Sequence, residues 1–400
     1  MDARMDRKGF VAMTGAASLA AFLAACGGSD GGGGSDGGGS GAGAATTAAK
    51  AFDPATEPDA PLQVFTWAGY DDSPSDGLPA MWQAYKDGPY GSASPLKFTL
   101  LDDDTQALAK VASGFSPDII HPCGGYVAKW QEAGLIQPLD TSLLPDWDGV
   151  PESLKEPGKI NGLYYHMPFD TGFSSLAYDA DMVDLSAYGG EETWAVMLDE
   201  AHKGKVTTFH GPDEIIEIAA LINRGAKDPT VLNADELAAA KETAMRIKAN
   251  LRNFWTSEND AVNDFVNGNV VIAQVWNAGY WNIRNHPKMK GRNIKYMQPK
   301  EGRLVWVCGT ILSAATAQPG RAMTAMASID TPAAGAALTN DFQYAAAQKR
   351  GVSDLIEDKE IVAAFGLDDP SLWEAPKAWS QKQVEPYKEY IAAGQEVIDS

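Results

Sequence analysis

The stretch "INGLYYHMPFDTGFSSLAYD", Ile160 to Asp179, decides the fold that the sequence predicts. It is strand-like on both sides of Asp170 and Thr171, and alternating strand and helix patterns precede and follow it. We therefore expect this stretch to carry the chain from one domain to another.

The patterns before this stretch indicate a first α/β domain. The predicted strands are "LQVFTW", "LKFTLL" and "PDIIHP", and apolar residues recur at helical spacing in "PSDGLPAMWQAYKDG" and "DTQALAKVASGF". Strands that alternate with helices are typical of βαβ units, which form a mostly parallel sheet.

A second set of patterns follows. "KVTTFHG" leads into the helical "PDEIIEIAALINRG", and "NADELAAAKETAMRIKANL" predicts a helix with Asn233 or Asp235 as its N-cap. "NDAVNDFVNGNVVIAQVWN" runs from helix to strand, "RLVWVCGTILS" predicts a further strand, and "AMTAMASI" and "GAALTNDFQYAAAQ" predict helices. The chain therefore contains two predicted α/β domains, and in open sheets of this kind ligands bind beyond the carboxyl ends of the strands.

Composition restricts the class of partner. A chain of 400 residues that is 44% hydrophobic is long enough for two cores. Its formal net charge of −21 repels phosphate backbones, so we expect no unassisted binding to nucleic acid. Small cations are the ligands that such a field attracts.

The N-terminus indicates export and anchoring. Basic Arg4, Arg7 and Lys8 precede the apolar run 10–25, which ends in "FLAAC" at Cys26 and resembles the lipobox of bacterial lipoproteins. We expect a signal peptide over 1–25, a lipidated Cys26 and a flexible Gly/Ser tether over 26–58. The predicted location is periplasmic or extracytoplasmic, with the lipid on Cys26 in the membrane. Cys123 and Cys308 then remain, either paired or as buried thiols.

Catalytic signatures are absent from the sequence. The five His residues occur in no HExxH or CxxC context, and no glycine-rich phosphate loop follows a strand in the folded region. Carboxylate pairs such as Asp71 with Asp72 are candidates for acid/base work, so a secreted carboxylate-dependent enzyme is the alternative. We expect no enzyme activity, no cofactor and no metal.

The tryptophans suggest a different activity. Eleven are present, and several lie in or just after strand-like runs, namely Trp67, Trp276, Trp281 and Trp306. Aromatic faces attract ammonium groups, by about 0.5 to 2 kcal/mol per ring. A single Trp is more often part of a core, so this interpretation requires several that share one pattern.

Six stretches in order resemble the spermidine/putrescine-binding proteins of bacterial ABC importers. They are "FTWAGY", "PDIIHPCGGYVAKWQEAGLIQPLD", "HMPFDTGF", "DEIIEIAAL", "NDFVNGNVVIAQVWN" and "PKEGRLVWVCGTILS", and the resemblance covers roughly residues 62 to 395. It implies an α/β periplasmic-binding-protein fold of type II, in which two lobes hinged by crossover strands close on a ligand in the cleft. The implied lobes are 59–170 with 301–355 and 171–300 with 356–400.

The resemblance also implies the site residues. Trp67 and Tyr70 correspond to an aromatic pair, with Asp71 and Asp72 at the rim of the cleft. Trp276 and Trp306 correspond to tryptophans that sandwich the alkyl chain of the ligand, and Glu214 to a carboxylate that pairs with its ammonium. The implied ligand-binding set is Trp67, Tyr70, Cys123, Tyr126, Asp170, Glu214, Trp276, Trp306 and Cys308.

This sequence also departs from the pattern of the family. Cys308 stands where the family keeps an Asp that anchors an amine, Cys123 where it has a Ser, and Val352 falls near a family Tyr. Gly69 and Gly211 lie where relatives can offer carboxylates. Loss of a buried counter-ion costs on the order of 2 to 5 kcal/mol.

Several alternatives for the ligand and for the thiols stay open. Asp170 or Asp213 compensates for the missing charge, or the ligand carries a single ammonium, or it is a zwitterion whose carboxylate meets Arg303. Examples of such ligands are an amino acid, 4-aminobutyrate or a betaine. We hypothesise a disulfide between Cys123 and Cys308, with free thiols or a metal site that includes His121 as alternatives.

The resulting prediction is a lipid-anchored solute-binding protein. It would deliver a polyamine-like or related small cationic or zwitterionic ligand to the membrane permease of an ABC importer, as a monomer, by hinge closure.

Overall fold

The computed structural model describes residues 51–75 and 77–400. The predicted signal peptide, Cys26 and most of the predicted tether therefore lie outside the described residues. Among the described residues, every helix is too short or too polar to cross a lipid bilayer.

Strands and helices alternate along the described chain. The strands are β1 Leu62–Trp67, β2 Leu96–Leu101, β3 Ile119–Ile120, β4 Ile136–Gln137, β5 Lys159–Ile160, β6 Leu163–Tyr164, β7 His166–Asp179, β8 Val206–Phe209, β9 Leu251–Trp255, β10 Ile272–Trp276, β11 Ile294–Tyr296, β12 Arg303–Ser313, β13 Ala345–Ala346 and β14 Ala378–Ser380. The helices are α1 Pro79–Lys86, α2 Asp104–Ala112, α3 Val127–Glu132, α4 Glu152–Lys155, α5 Pro212–Arg224, α6 Ala234–Asn250, α7 Glu258–Val266, α8 Asn277–Arg284, α9 Pro319–Ile329, α10 Pro332–Phe342, α11 Lys359–Ala364 and α12 Tyr387–Asp399.

One large sheet organises these elements, in the order β2-β1-β3-β12-β7-β10-β8-β9. Strand β1 is parallel to β2 and β3, and β8 is parallel to β9 and β10, as βαβ units require. Strands β12 and β7 join the two parallel groups and are antiparallel to each other.

The long strand β7 confirms the strand predicted on both sides of Asp170 and Thr171. All of its residues are buried, and it continues through Asp170 and Thr171 without interruption. It pairs with β12 through its first half and with β10 through its second half, so one strand belongs to both parallel groups. The helices α5, α6 and α12 pack together on one group, while α1 packs with α9 and α10 on the other.

Two segments differ from the prediction. The predicted helix "GAALTNDFQYAAAQ" stops at Phe342, because Gln343 adopts a left-handed backbone with φ 55° and Ala345–Ala346 then pairs with β7. The predicted helix "NADELAAAKETAMRIKANL" ends at Asn250, and the chain continues as the unpredicted strand β9.

The last residues of the predicted tether are part of the fold. The Glu57 carboxylate accepts hydrogen bonds from the backbone N–H groups of Gly320 (2.6 Å) and Arg321 (2.8 Å) at the start of α9. The Arg321 side chain in turn donates to the carbonyl oxygens of Pro54 and Pro58. Free N–H groups at a helix N-terminus attract a carboxylate, so the segment docks there before the predicted boundary at residue 58.

Candidate functional site: an aromatic and acidic cluster where the central strands cross

Neighbouring strands bring several predicted site residues together. In the pairing of β12 with β7, Trp306 lies opposite Gly172 and Cys308 opposite Asp170. In the pairing of β10 with β7, Trp276 lies opposite Ser174. Residues far apart in the chain therefore meet at the point where the two parallel groups join.

Gly172 makes room for Trp306. A Cβ atom at Gly172 would lie 2.6 Å from Cζ2 of the Trp306 indole, closer than carbon atoms approach. The indole therefore covers the backbone of β7 directly, and its edge contacts the Tyr344 ring at a centroid distance of 4.9 Å. Trp306 is half-buried.

Sequence reasoning missed two aromatic residues of this cluster. The Phe342 ring stacks on Tyr70 at 5.2 Å with an interplanar angle of 5°, and it lies 6.2 Å from the Tyr344 ring. Val352, which falls near a family Tyr, is fully buried against Gly335 of α10. Tyr344 is the tyrosine beside Trp306. The sequence analysis missed it because it predicted a helix that continues through this residue.

Asp170 is buried with two partners from the β1 side of the sheet. The Tyr70 hydroxyl donates to Oδ2 at 2.6 Å, and His121 Nε2 lies 3.1 Å from Oδ1. Thr66 Oγ1 lies 2.9 Å from the other ring nitrogen of His121. Burial and the neighbouring Asp170 charge raise the pKa of Tyr70 well above its ordinary value, so this hydroxyl stays a donor.

Glu214 occupies the first turn of α5 and is also buried. Its Oε1 atom accepts hydrogen bonds from Ser174 Oγ and from Gln274 Nε2, the latter at 2.8 Å. Burial raises the pKa of Glu214 to about 7. The neighbouring carboxyl of Asp213 also has a raised pKa because of burial. A cation beside Glu214 would favour its ionised form.

Trp276 is held by an aromatic corner and by a carboxylate. Its ring lies 5.4 Å from Phe209 and 5.2 Å from Trp255, and its backbone N–H donates to Glu258 Oε1 at 2.7 Å. Trp67 is half-buried at the end of β1. Its indole nitrogen and that of Trp306 are buried without a hydrogen-bond partner among the described residues.

Cys123 and Cys308 form a disulfide, as hypothesised. The bridge ties the start of the turn before α3 to the middle of β12. Because both sulfur atoms are used, the alternative of a metal site with His121 is wrong. Residues 51–75 and 77–400 contain no group of three metal-ligating side chains that could hold an ion.

Tyr126 lies in a contact between α3 and α12. The Lys129 ammonium lies 4.5 Å from the Tyr126 ring centroid and 4.0 Å from that of Tyr387, and it donates to the Tyr387 hydroxyl at 2.6 Å. Burial raises the pKa of Tyr126 to about 12. An ammonium of the chain itself therefore fills the space between these two rings.

Two other predicted residues have partners elsewhere. Arg303 is buried and donates to the carbonyl oxygens of Met297 (2.8 Å) and Tyr296 (2.9 Å), which corrects the expectation that it meets a ligand carboxylate. Asp72 forms an ion pair with Lys86 at 2.9 Å.

A cavity of about 590 Å³ lies along the edge strand β9, lined by residues that include Asn253, Asp260 and Asp264. None of the predicted site residues lines it. The candidate site is therefore not this groove. It is the aromatic and acidic cluster where β10 and β12 pair with β7, formed by Trp276, Trp306, Asp170 and Glu214.

Comparison with known proteins agrees with the fold. Residues 101–364 match the family of bacterial extracellular solute-binding proteins. The chain is 28% identical over 207 residues to the putrescine-binding periplasmic protein PotF of Escherichia coli, covering 49% of this chain and 54% of PotF. The match thus spans about half the length of that relative.

Solved structures extend the likeness to most of the chain. The spermidine/putrescine substrate-binding protein PotD of Streptococcus pneumoniae superposes with a TM-score of 0.66 at 14% identity, over 84% of this chain and 99% of PotD. The binding protein MotA of A. tumefaciens B6, solved in complex with glucopine, gives a TM-score of 0.59 at 18% identity, over 84% of this chain and 99% of MotA. These likenesses confirm the two-lobe type II periplasmic-binding-protein fold.

The family also confirms that the chain is a solute-binding protein and not an enzyme, against the alternative of a secreted carboxylate-dependent enzyme. Because the matched segment covers well over half of the sequence, the chain belongs to the family of bacterial extracellular solute-binding proteins.

Proposed function

We propose that this protein captures a small cationic ligand of the polyamine type outside the cytoplasm and delivers it to an ABC importer. The observation that best supports this proposal is the cluster of side chains where β10 and β12 pair with β7. There Trp276 and Trp306 lie on strands next to β7, and the carboxylates of Asp170 and Glu214 lie beside them.

The chemistry of this cluster suits an alkylammonium ligand. Indole faces attract ammonium groups through the ring quadrupole and pack against methylene groups, at about 0.5 to 2 kcal/mol per cation-facing ring. Each buried carboxylate offers a counter-charge, and a cation near Glu214 would be favoured most above pH 7, where that group is ionised. Putrescine and spermidine, the ligands named for PotF and PotD, contain both features.

Hinge closure is the proposed mechanism. The proposed lobes are 59–170 with 301–355 and 171–300 with 356–400, and β7 and β12 connect them. A ligand that contacts both lobes binds the closed form better and shifts the population toward it. The contact of Lys129 on α3 with Tyr387 on α12 supports this mechanism, because it links the two proposed lobes away from the ligand.

The remaining parts of the proposal concern the cellular context. The family is extracellular, which agrees with the predicted export of this chain. We propose that lipid on Cys26 anchors the protein, that the tether lets it reorient above the membrane, and that the closed monomer docks on a permease.

A mono-amine or zwitterionic ligand is the second candidate. The buried indole N–H groups of Trp67 and Trp306 have no acceptor among the described residues, so a ligand with an oxygen acceptor would satisfy them. MotA, which shares the fold, was solved with glucopine. Since Arg303 is committed to carbonyl groups, we propose that such an acceptor meets the indoles instead.

Thermal unfolding against a ligand panel tests the proposal. The panel contains putrescine, spermidine, spermine, 4-aminobutyrate, betaine and amino acids. A ligand at about 100 times its Kd stabilises the protein by about 2.7 kcal/mol, which raises Tm by several degrees. Stabilisation by polyamines supports the first candidate, and stabilisation by a mono-amine or zwitterion alone supports the second. If no member of the panel raises Tm, the proposed ligand class is wrong.

A further inference from the structure

A basic segment lies between α8 and β11. The stretch "RNHPKMKGRNIK", Arg284 to Lys295, contains five Lys or Arg residues and no Asp or Glu. It belongs to a chain whose formal net charge is −21. The proposed binding of a cationic ligand uses none of these residues, so their concentration here requires a separate explanation.

Buried apolar residues hold this segment in place and leave its charges in solvent. Met289 and Ile294 are 7% and 8% exposed and belong to the hydrophobic core. Between them Gly291 adopts a left-handed backbone with φ 83°, which allows the chain to turn. The basic residues around these anchors are all exposed, namely Lys288, Lys290, Arg292 and Lys295.

Lys205 joins these residues from another part of the chain. The Lys288 ammonium donates to Asn267 Oδ1 at 2.6 Å, and the Lys205 ammonium donates to the carbonyl oxygen of Gly268 at 3.2 Å. Both ammonium groups therefore lie at the loop that follows α7. We refer to the exposed residues of this region as the basic face, which consists of Lys205, Lys288, Lys290, Arg292 and Lys295.

The basic face lies at the opposite edge of the sheet from the candidate site. Lys205 immediately precedes β8, and the loop after α7 precedes β10, so both lie at the amino ends of these parallel strands. Ile294 of β11 pairs with Asp179, at the end of β7 that lies beside the start of β10. Trp276 is at the carboxyl end of β10. A partner on the basic face would therefore leave the candidate site uncovered.

The chain neutralises little of the positive charge on this face. Arg292 forms an ion pair with the buried Asp179. Within residues 51–75 and 77–400, the four lysines of the basic face form no ion pair. The loop after β7 adds two exposed carboxylates, Asp181 and Asp184, and the four ammonium groups outnumber them. The face is therefore locally positive on an acidic protein.

An exposed apolar side chain accompanies the basic face. Met182 is 54% exposed, and its sulfur atom lies 2.9 Å from a guanidinium nitrogen of Arg292. Basic groups beside an exposed apolar side chain suit the headgroup region of an anionic bilayer, where phosphates attract the charges and the apolar group leaves water. A surface of hydrated carboxylates would match the lysines but would leave Met182 in water.

We propose that the basic face binds anionic phospholipid headgroups of the membrane to which the chain is anchored. This inference rests on the proposed anchoring through Cys26. The 24 residues 27–50 span at most about 80 Å, whereas a fold of this size has a radius of gyration of about 20 Å, so the anchor allows this face to reach the bilayer. In that orientation the edge that contains Trp276 points away from the membrane, where a ligand can enter.

Co-sedimentation with vesicles tests this inference. The probe is the segment 49–400, a compact unit that contains every described helix and strand, so neither the predicted signal peptide nor a lipid on Cys26 contributes. It should bind phosphatidylcholine vesicles that contain about one third phosphatidylglycerol, and it should not bind phosphatidylcholine alone. A roughly tenfold increase in salt should weaken the binding about tenfold or more, because salt screens exposed charges.

A paired variant identifies the face. Lys288→Glu combined with Lys290→Glu should lower the affinity for the anionic vesicles about 20-fold or more, because each basic residue near such a surface contributes a factor of about five. The matched control is Lys97→Glu combined with Lys388→Glu. It makes the same change in net charge at exposed positions on β2 and α12, and it should change the affinity less than about threefold.

Three results would overturn the inference: no binding to the anionic vesicles, equal binding to both kinds of vesicle, or equal loss in the two paired variants. Titration of the same proteins with putrescine keeps this test separate from the proposed function. If putrescine binds and the vesicles do not, only the basic face has been misinterpreted. If the vesicles bind and no amine does, the proposed ligand class is wrong and the basic face is not affected.

Discussion

The contact of Lys129 with α12 gives the sharpest test of hinge closure. The ammonium faces the rings of Tyr126 and Tyr387 at 4.5 and 4.0 Å and donates to the Tyr387 hydroxyl at 2.6 Å. Each ring contributes about 0.5 kcal/mol at a partly exposed site. The hydrogen bond adds about 1 kcal/mol. The contact is therefore worth about 2 kcal/mol to the conformation that contains it.

Replacement of Lys129 by Met keeps the length of the side chain and removes the charge. If the contact forms only when the lobes close, the closed form loses about 2 kcal/mol and ligand affinity falls roughly 30-fold. Calorimetric titration with putrescine measures this change. Small-angle scattering without ligand should show a larger radius of gyration for the variant than for the unmodified protein.

Lys241→Met is the control for this prediction. Lys241 on α6 pairs with Glu396 on α12, and both helices belong to the same proposed lobe. Its loss should leave the affinity within about threefold of the original value, as expected for an exposed ion pair. The reasoning is refuted if Lys129→Met also stays within threefold, or if both variants lose affinity equally.

Three further predictions concern the stability and shape of the site. Reduction of the bond between Cys123 and Cys308 should lower stability by about 2 to 4 kcal/mol, and peptide mapping should find these two residues alkylated only after reduction; alkylation of either one without reductant would contradict the bond. Gly172→Ala should displace the Trp306 indole and weaken ligand binding about tenfold or more, while far-ultraviolet circular dichroism stays unchanged. Burial raises the pKa of Asp330 from its ordinary 3.8 to about 8, so the folded state keeps a proton that the unfolded state releases, and stability falls as pH rises through this range. Asp330→Asn should make the decline in Tm between pH 5 and pH 8 shallower, and an unchanged slope would contradict this assignment.

Local patterns in the sequence predicted many of the helices and strands correctly. The apolar alternation of "LQVFTW" and "LKFTLL" became the parallel pair β1 and β2, and Asn233 forms the N-cap of α6 with a full capping box. These elements depend on neighbours in the sequence, so their residue patterns were sufficient. The strand around Asp170 was also readable, because its residues are apolar or small over a long run.

Long-range pairing limited the prediction of the site. Strand β13 exists because Ala345 and Ala346 pair with Thr171 and Asp170 of β7. The two segments are far apart in the sequence, so local residue patterns do not predict this pairing. The apolar spacing of α10 continued into this segment and hid Tyr344. The hydrogen bond between Glu258 and the Trp276 backbone was equally hard to predict, because the Glu258 carboxylate reaches a strand that begins only after α7 ends.

The buried partners of the carboxylates were another limit. The sequence identified Asp170 and Glu214 as charged candidates, but it did not show that Tyr70 and His121 bond to the first, or Ser174 and Gln274 to the second. These partners stabilise the carboxylates without a ligand. They also imply that a bound ammonium must compete with hydrogen bonds that already exist.

Calorimetric titration with putrescine and with 1,4-butanediol tests the central claim most directly. The two molecules have the same carbon chain, but only putrescine carries the ammonium groups that the tryptophans and carboxylates are proposed to recognise. The account predicts saturable binding of putrescine and no measurable binding of the diol at the same concentrations. Equal affinity for both molecules, or binding of neither, would contradict the claim that the crossing of β7, β10 and β12 forms a site for cationic ligands.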